Sequence, residues 1–233
     1  MAVTLYHPEK KTLPVRGVLF DMDGLVLDSE KLYTRFWMEA ARDLGFPMTL
    51  EQALGMRSLN RDAGQNKLTE YFGPGVSYAT VRAHRIELMD AHIEKYGIDA
   101  KPGIYELLDF LHEKGIASAI TSSSPMANIQ RHLKAHNLLH RFDRICSGYD
   151  VPHGKPAPDI YLYGAASLNL KPEECLALED SPTGIQSAHR AGCLSVMIPD
   201  LDQPDEATEA LLYAKADSLA DIIDILNAQN GHL

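Results

Sequence analysis

The run VRGVLF at residues 15–20 is apolar on both faces apart from Arg16 and is too short for a free-standing helix. A strand with no polar alternation has no face to give to water, so the pattern predicts a central strand of a parallel sheet. Related runs recur as ASAIT (117–121), CLAL (175–178) and LSVMI (194–198). Helical periodicity separates them. In PGIYELLDFLHEKG the residues Ile104, Leu107, Leu108 and Leu111 form one stripe, with Pro102 in the first turn and Gly115 closing it. SSPMANIQRHL reads as a helix capped by Ser124 with Pro125 first. DSPTGIQSAHRAG repeats the device with Ser181, Pro182 and a closing Gly192. Strands alternating with such helices predict an α/β fold, a Rossmann-like parallel sheet with helices on both faces.

One region breaks this rhythm. Residues 31–100 contain no convincing strand, only helical patterns at 33–44, 68–72 and 78–96, the last with Ile86, Met89, Ile93 and Tyr96 in one stripe. The expected organisation is a loosely held tail (1–14), a core made of 15–30 and 101–233, and an inserted all-helical cap (31–100). The cap is expected over the carboxyl ends of the strands, where open α/β sheets bind ligands.

Charge narrows the partners. The chain has 22 basic against 32 acidic residues, a net charge of -10, which disfavours nucleic acid and anionic membranes. Three cysteines without a CxxC pair, and an N-terminus without an apolar leader, predict a reducing, cytoplasmic setting. A monomer is the default expectation.

Polar groups end each strand pattern. VLFDMDGLVLDSE places Asp21, Asp23, Asp28 and Glu30 after the first apolar run. It is not a calcium loop of the EF-hand type: counted from Asp21, glycine falls at the fourth place and Leu32 at the twelfth. Gly24 permits a tight turn that leaves Asp21 and Asp23 facing one space. Thr121, Ser122 and Ser123 end the second run, where hydroxyls and helix N-terminal amides make a natural phosphate seat, although a serine cluster also caps helices. Lys155 in HGKPAPD is either a surface residue or a counter-charge for a carboxylate-rich cleft. Glu179 and Asp180 emerge together from CLAL, a crowding that a cation would offset.

The four segments FDMDGLVLDSE, AITSS, HGKPAPD and LEDSPTGIQSAHRAG, in this order, resemble the haloacid dehalogenase superfamily over residues 15–226. The chain is most similar to the branch of β-phosphoglucomutase and small sugar- or nucleotide-phosphate phosphatases, including the pseudouridine-5'-phosphatase type. The resemblance implies Asp21 as nucleophile and Asp23 as general acid/base. It also implies phosphate binding by Met22, Asp23, Thr121, Ser122 and Lys155, and a Mg²⁺ site of Asp21, Asp23, Glu179 and Asp180. The implied substrate is a small phosphorylated metabolite. Tyr33 stands where the mutases carry histidine, and GMRSLNRDAG departs from their cap pattern. These differences favour a phosphatase over a hexose-phosphate mutase, with a catalytically silent interaction module as the remote alternative. Tyr33, Arg57, Asn60 and Arg61 are the candidates for substrate specificity.

Overall fold

The computed structural model describes residues 3–6, 14–56, 59, 61–201 and 203–230. It divides into two compact units, Met1–Leu27 with Ala100–Leu233, and Asp28–Asp99.

The first unit is built on a sheet of β1 (Thr4–Leu5), β2 (Gly17–Phe20), β3 (Ala117–Ser122), β4 (Arg144–Ser147), β5 (Cys175–Glu179), β6 (Leu194–Met197) and β7 (Ala214–Lys215). Their spatial order is β1-β7-β6-β5-β2-β3-β4. The wholly buried β2 lies between β5 and β3, parallel to both. Phe20 pairs with Ile120 on one side and Leu178 on the other, so Asp21, Thr121 and Glu179 are the next residues on three adjacent strands. This register delivers three polar side chains to one level at the sheet's carboxyl edge.

The sheet is not wholly parallel. Thr4 and Leu5 pair antiparallel with Lys215 and Ala214, and Tyr6 N–H donates to the Tyr213 carbonyl at 3.0 Å. Residues 4–6 are therefore held, contrary to the expected tail. The two-residue β7 would otherwise expose an unpaired edge.

Helices α5 (Ile104–Lys114), α6 (Met126–Ala135), α7 (Asp159–Ser167), α8 (Pro182–Ala191), α9 (Glu206–Glu209) and α10 (Ile222–Asn230) complete this unit. The expected stripe of α5 is buried throughout. Ser181 caps α8, accepting the Gly184 N–H at 3.2 Å. The cap expected of Ser124 is absent: α6 begins after Pro125 without a side-chain cap.

The second unit is helical, with α1 (Glu30–Asp43), α2 (Leu50–Leu54), α3 (Arg61–Phe72) and α4 (Tyr78–Tyr96). Trp37, Ala40, Ala41, Met48, Leu68, Tyr78 and Val81 belong to its core. The buried face of α4 is Tyr78, Val81, Arg85 and Met89, which shares only Met89 with the expected stripe, and Tyr96 is 67% exposed. Arg85 fits this face because its guanidinium stacks on the rings of Tyr33 and Trp37, 4.7 and 5.4 Å from their centroids. No helix among the described residues is long and apolar enough to cross a membrane.

Candidate active site

The chain turns sharply on leaving β2. Gly24 has φ +85° and donates its N–H to the Leu27 carbonyl, while Val26 and Leu27 N–H both donate to the Met22 carbonyl. A side chain at Gly24 would strain that left-handed conformation. Met22 is fully buried, which anchors the turn between the two aspartates.

Lys155, on the loop before α7, is the electrostatic centre. Its Nζ donates at 2.6 Å both to Asp21 Oδ1 and to Glu179 Oε1. Its side chain is only 9% exposed. Burial alone would lower the Lys155 ammonium, but the charges of Asp21 and Glu179 reverse this and hold it above its ordinary value. Burial pushes the Asp21 carboxyl up to about 7, against the pull of Lys155 and with added repulsion from Glu179 and Asp23.

Glu179 is fixed from several sides. Its Oε1 also accepts the Tyr161 hydroxyl at 2.5 Å, and its Oε2 accepts from Ser181 Oγ at 3.3 Å. Tyr161 is fully buried, and that burial, followed by the Glu179 and Asp21 charges, drives its phenol well above its ordinary value.

Asp21, Glu179 and Asp180 each offer a carboxylate oxygen, and these atoms lie within 4.8 Å of one another in buried surroundings. Lys155 pairs with two of these three carboxylates, Asp21 and Glu179, and burial is the main reason that the Asp21 carboxyl is raised. A buried all-oxygen donor set of this kind fits a hard divalent cation such as Mg²⁺.

The hydroxyls at the carboxyl end of β3 and just beyond it divide their tasks. Thr121 is buried and its Oγ1 donates to the Phe20 carbonyl at 3.1 Å. Ser122 Oγ accepts the Ser124 N–H at 3.1 Å, and Ser124 Oγ donates to Asp23 Oδ2 at 2.9 Å. Asp21, Asp23, Ser122, Lys155, Glu179 and Asp180 thus gather around the ends of β2, β3 and β5.

The remaining candidates lie in the second unit. Tyr33 is the ring beneath Arg85, and Arg61 is exposed at the start of α3. Arg57 and Asn60 lie outside the described residues. The site contacts of Ser124, Tyr161 and Gly184 are not anticipated by the sequence, which offers Ser124 only as a helix cap. Only Gly184 left a signal there, since a glycine inside a helical pattern suggests a close approach. Four histidines of the described chain serve the surface: His153 pairs with Asp159 and His84 with Asp43, while His112 and His189 are exposed.

The model of the haloacid dehalogenase-like hydrolase family matches residues 18–198. The chain is 36% identical to hexitol phosphatase A of Escherichia coli over 76% of its own length and 80% of that protein. It is 27% identical to β-phosphoglucomutase of Bacillus subtilis over 78% and 82% of the two chains. A haloacid dehalogenase family hydrolase from Deinococcus radiodurans, solved with phosphate and sodium bound, superposes with a TM-score of 0.76 at 26% identity, covering 93% of this chain and 96% of the other. Since the matched segment spans both halves of the sheet, from within β2 to just beyond β6, this chain belongs to the haloacid dehalogenase-like hydrolases.

Proposed function

We propose that the protein is a Mg²⁺-dependent phosphatase that hydrolyses small phosphate monoesters, sugar phosphates or nucleotide-like esters, through an aspartyl-phosphate at Asp21. The observation that carries this reading is the juxtaposition of Asp21 with Lys155 at 2.6 Å and with Glu179 and Asp180 within 4.8 Å. It joins a carboxylate nucleophile to a cation and to a metal-binding set.

Asp21, Asp180, Glu179 and the Asp23 carbonyl would hold the metal. When bound, Mg²⁺ supplies charge neutralisation between the substrate dianion and these carboxylates and keeps Asp21 ionised. An Asp21 oxygen attacks phosphorus, and the bond to the leaving oxygen breaks as that oxygen takes a proton from Asp23. Water then attacks the acyl phosphate and gives its proton back to Asp23, which releases phosphate and regenerates both carboxyl groups. Lys155 offsets charge on the phosphoryl oxygens, together with the Met22 and Asp23 amides. Ser122, rather than Thr121, is the better hydroxyl donor. The Thr121 proton goes to the Phe20 carbonyl, whereas Ser122 Oγ accepts from Ser124 and keeps its own proton for a phosphate oxygen.

The alternative is a hexose-phosphate mutase, in which a sugar phosphate rather than water takes the phosphoryl group. Tyr33 at the mutase histidine position favours water, and its ring is engaged by Arg85. A phosphate-ester panel tests both readings. With Mg²⁺ the protein should release phosphate, chelation should stop release, and Asp21→Asn should abolish both turnover and the acid-stable, hydroxylamine-labile phosphoprotein. Full turnover after demetallation, or in Asp21→Asn, rejects the mechanism. Rapid conversion of β-glucose 1-phosphate to glucose 6-phosphate with a trace of the bisphosphate, and little free phosphate, favours the mutase.

A further inference from the structure

We propose that Ser124 is a positioning residue that holds the Asp23 carboxyl group at the reacting phosphorus, with Ser122 and Ser147 as the clamp that holds Ser124. This inference rests on the acid/base role assigned to Asp23 above.

Ser124 is fixed at three points. Its N–H donates to Ser122 Oγ at 3.1 Å, its carbonyl accepts from Ser147 Oγ at 2.8 Å, and its own hydroxyl donates to Asp23 Oδ2 at 2.9 Å. Ser122 and Ser147 are themselves register partners across β3 and β4, and both are fully buried. Ser147 Oγ also accepts the Tyr149 N–H at 3.2 Å, which fixes its rotamer. Behind the serines, a Cβ at Gly148 would lie 3.1 Å from the Ser123 backbone, so the turn after β4 packs closely on the run. The clamp is thus anchored in the sheet, not in a free loop.

The local helix draws no benefit from this arrangement. A serine before proline at a helix start is a favoured cap, yet α6 has no side-chain cap and the Ser124 hydroxyl turns to Asp23 instead. A group withdrawn from its local structural task and spent on a neighbouring carboxylate points to the chemistry of that carboxylate. The hydroxyl occupies Oδ2 and fixes the carboxyl plane, so Oδ1 is the oxygen presented for proton exchange. A general acid or base must stay within hydrogen-bond reach of the reacting oxygen, and side-chain rotation of Asp23 would remove it from that reach.

The step most exposed to this loss is breakdown of the aspartyl-phosphate. There the water oxygen bonds to phosphorus, the bond from phosphorus to Asp21 breaks, and the water proton passes to Asp23 Oδ1. Formation of the intermediate from an aryl ester needs no proton, because the phenolate leaves unaided. Removing the Ser124 hydroxyl should therefore slow breakdown while sparing formation.

Rapid-mixing kinetics with p-nitrophenyl phosphate and Mg²⁺ would test this. Ser124→Ala should retain a burst of p-nitrophenolate of near wild-type rate, while steady-state turnover falls roughly 10- to 100-fold, the range for losing a hydrogen bond to a charged group. The phosphoprotein should accumulate, and Ser124→Thr should restore most of the turnover. Equal loss of burst and steady state, no loss of either, or no rescue by threonine would overturn the positioning role. No p-nitrophenolate release by the wild-type protein would instead reject the phosphatase reading, and this inference with it. Should Ser124→Ala fail to fold, Ser147→Ala leaves the Asp23 contact in place and loosens the clamp, together with the Tyr149 N–H bond to the same hydroxyl. It should show the same selective slowing in weaker form, and unaltered kinetics in that variant would overturn the proposal.

Discussion

Gly184 lies directly against the carboxylate of Glu179: a Cβ at this position would stand 1.9 Å from Glu179 Cδ. The glycine is inside α8, where it costs about 1 kcal/mol relative to alanine in helix propensity. That loss makes room for a carboxylate which is itself held by Lys155, Tyr161 and Ser181. Gly184→Ala should therefore destabilise the protein despite its better propensity, by about 2–3 kcal/mol from overpacking a site that cannot relax. A urea titration measures this, and a neutral or stabilising effect would mean that Glu179 can move.

The Asp21 carboxyl couples stability to pH. Its value is raised from 3.8 to about 7, so the folded state binds more protons than the unfolded state between those limits. Its contribution is fully present below about pH 3.8, and is lost as pH rises through about 7. In EDTA, the stability difference between wild type and Asp21→Asn should shift against the wild type from pH 5 to pH 8. Mg²⁺ should recover more stability at pH 8 than at pH 5. A difference independent of pH would contradict the cost of burying the Asp21 carboxylate.

Arg85 offers a converse case in the second unit. Burial pulls its guanidinium below its ordinary value, and its Nε has no hydrogen-bond partner among the described residues. Methionine would keep much of the packing on Tyr33 and Trp37 without a buried charge. Arg85→Met is expected to be neutral or stabilising by about 1 kcal/mol, whereas Arg85→Ala should cost about 2 kcal/mol in lost packing. Chemical denaturation of both variants checks the pair, and a large loss in Arg85→Met would show that the charge itself is needed.

Each cysteine is a buried free thiol. Burial pushes Cys175 up to about 12, Cys193 higher still, and Cys146 above its ordinary value. Native protein at pH 8 should react with a disulfide reagent at least roughly 100-fold more slowly than an exposed thiol, and three equivalents should titrate promptly in denaturant. Fast labelling of the native chain would reveal local opening around β4, β5 or β6.

What was legible in the chain follows from the range of the physics involved. The buried strands and the carboxylates that end them were readable, because unbroken apolar runs and clustered charge are local signals. The choice between Thr121 and Ser122 was not, because adjacent strand residues face opposite sides and TSSS carries no marker of which side is which. Ser124 was misread because Ser-Pro suits a helix cap equally well, and its true partner lies 101 residues away. Tyr161 carried no local mark of its role, because Glu179 meets its hydroxyl only once α7 and β5 are packed in the fold. The buried face of α4 was missed because Arg85 counts as polar until two aromatic rings accept it. β1 is two residues long and owes its existence to the β7 edge, so no local pattern could announce it.

The insertion point has a topological meaning. Leu27 and Ala100 pair as an antiparallel bridge, and Lys101 N–H donates to the Val26 carbonyl at 2.9 Å. The segment that leaves the sheet after β2 and the segment that leads into α5 are therefore stitched together at the crossing. Seen from the sheet, residues 28–99 are the tip of a hairpin that happens to contain a folded body. Closure entropy grows only with the logarithm of loop length, so exchanging that body for another of different size would disturb the sheet little while the stitch holds. The ends of β2, β3 and β5 keep their places as long as that stitch does, whatever body hangs from it.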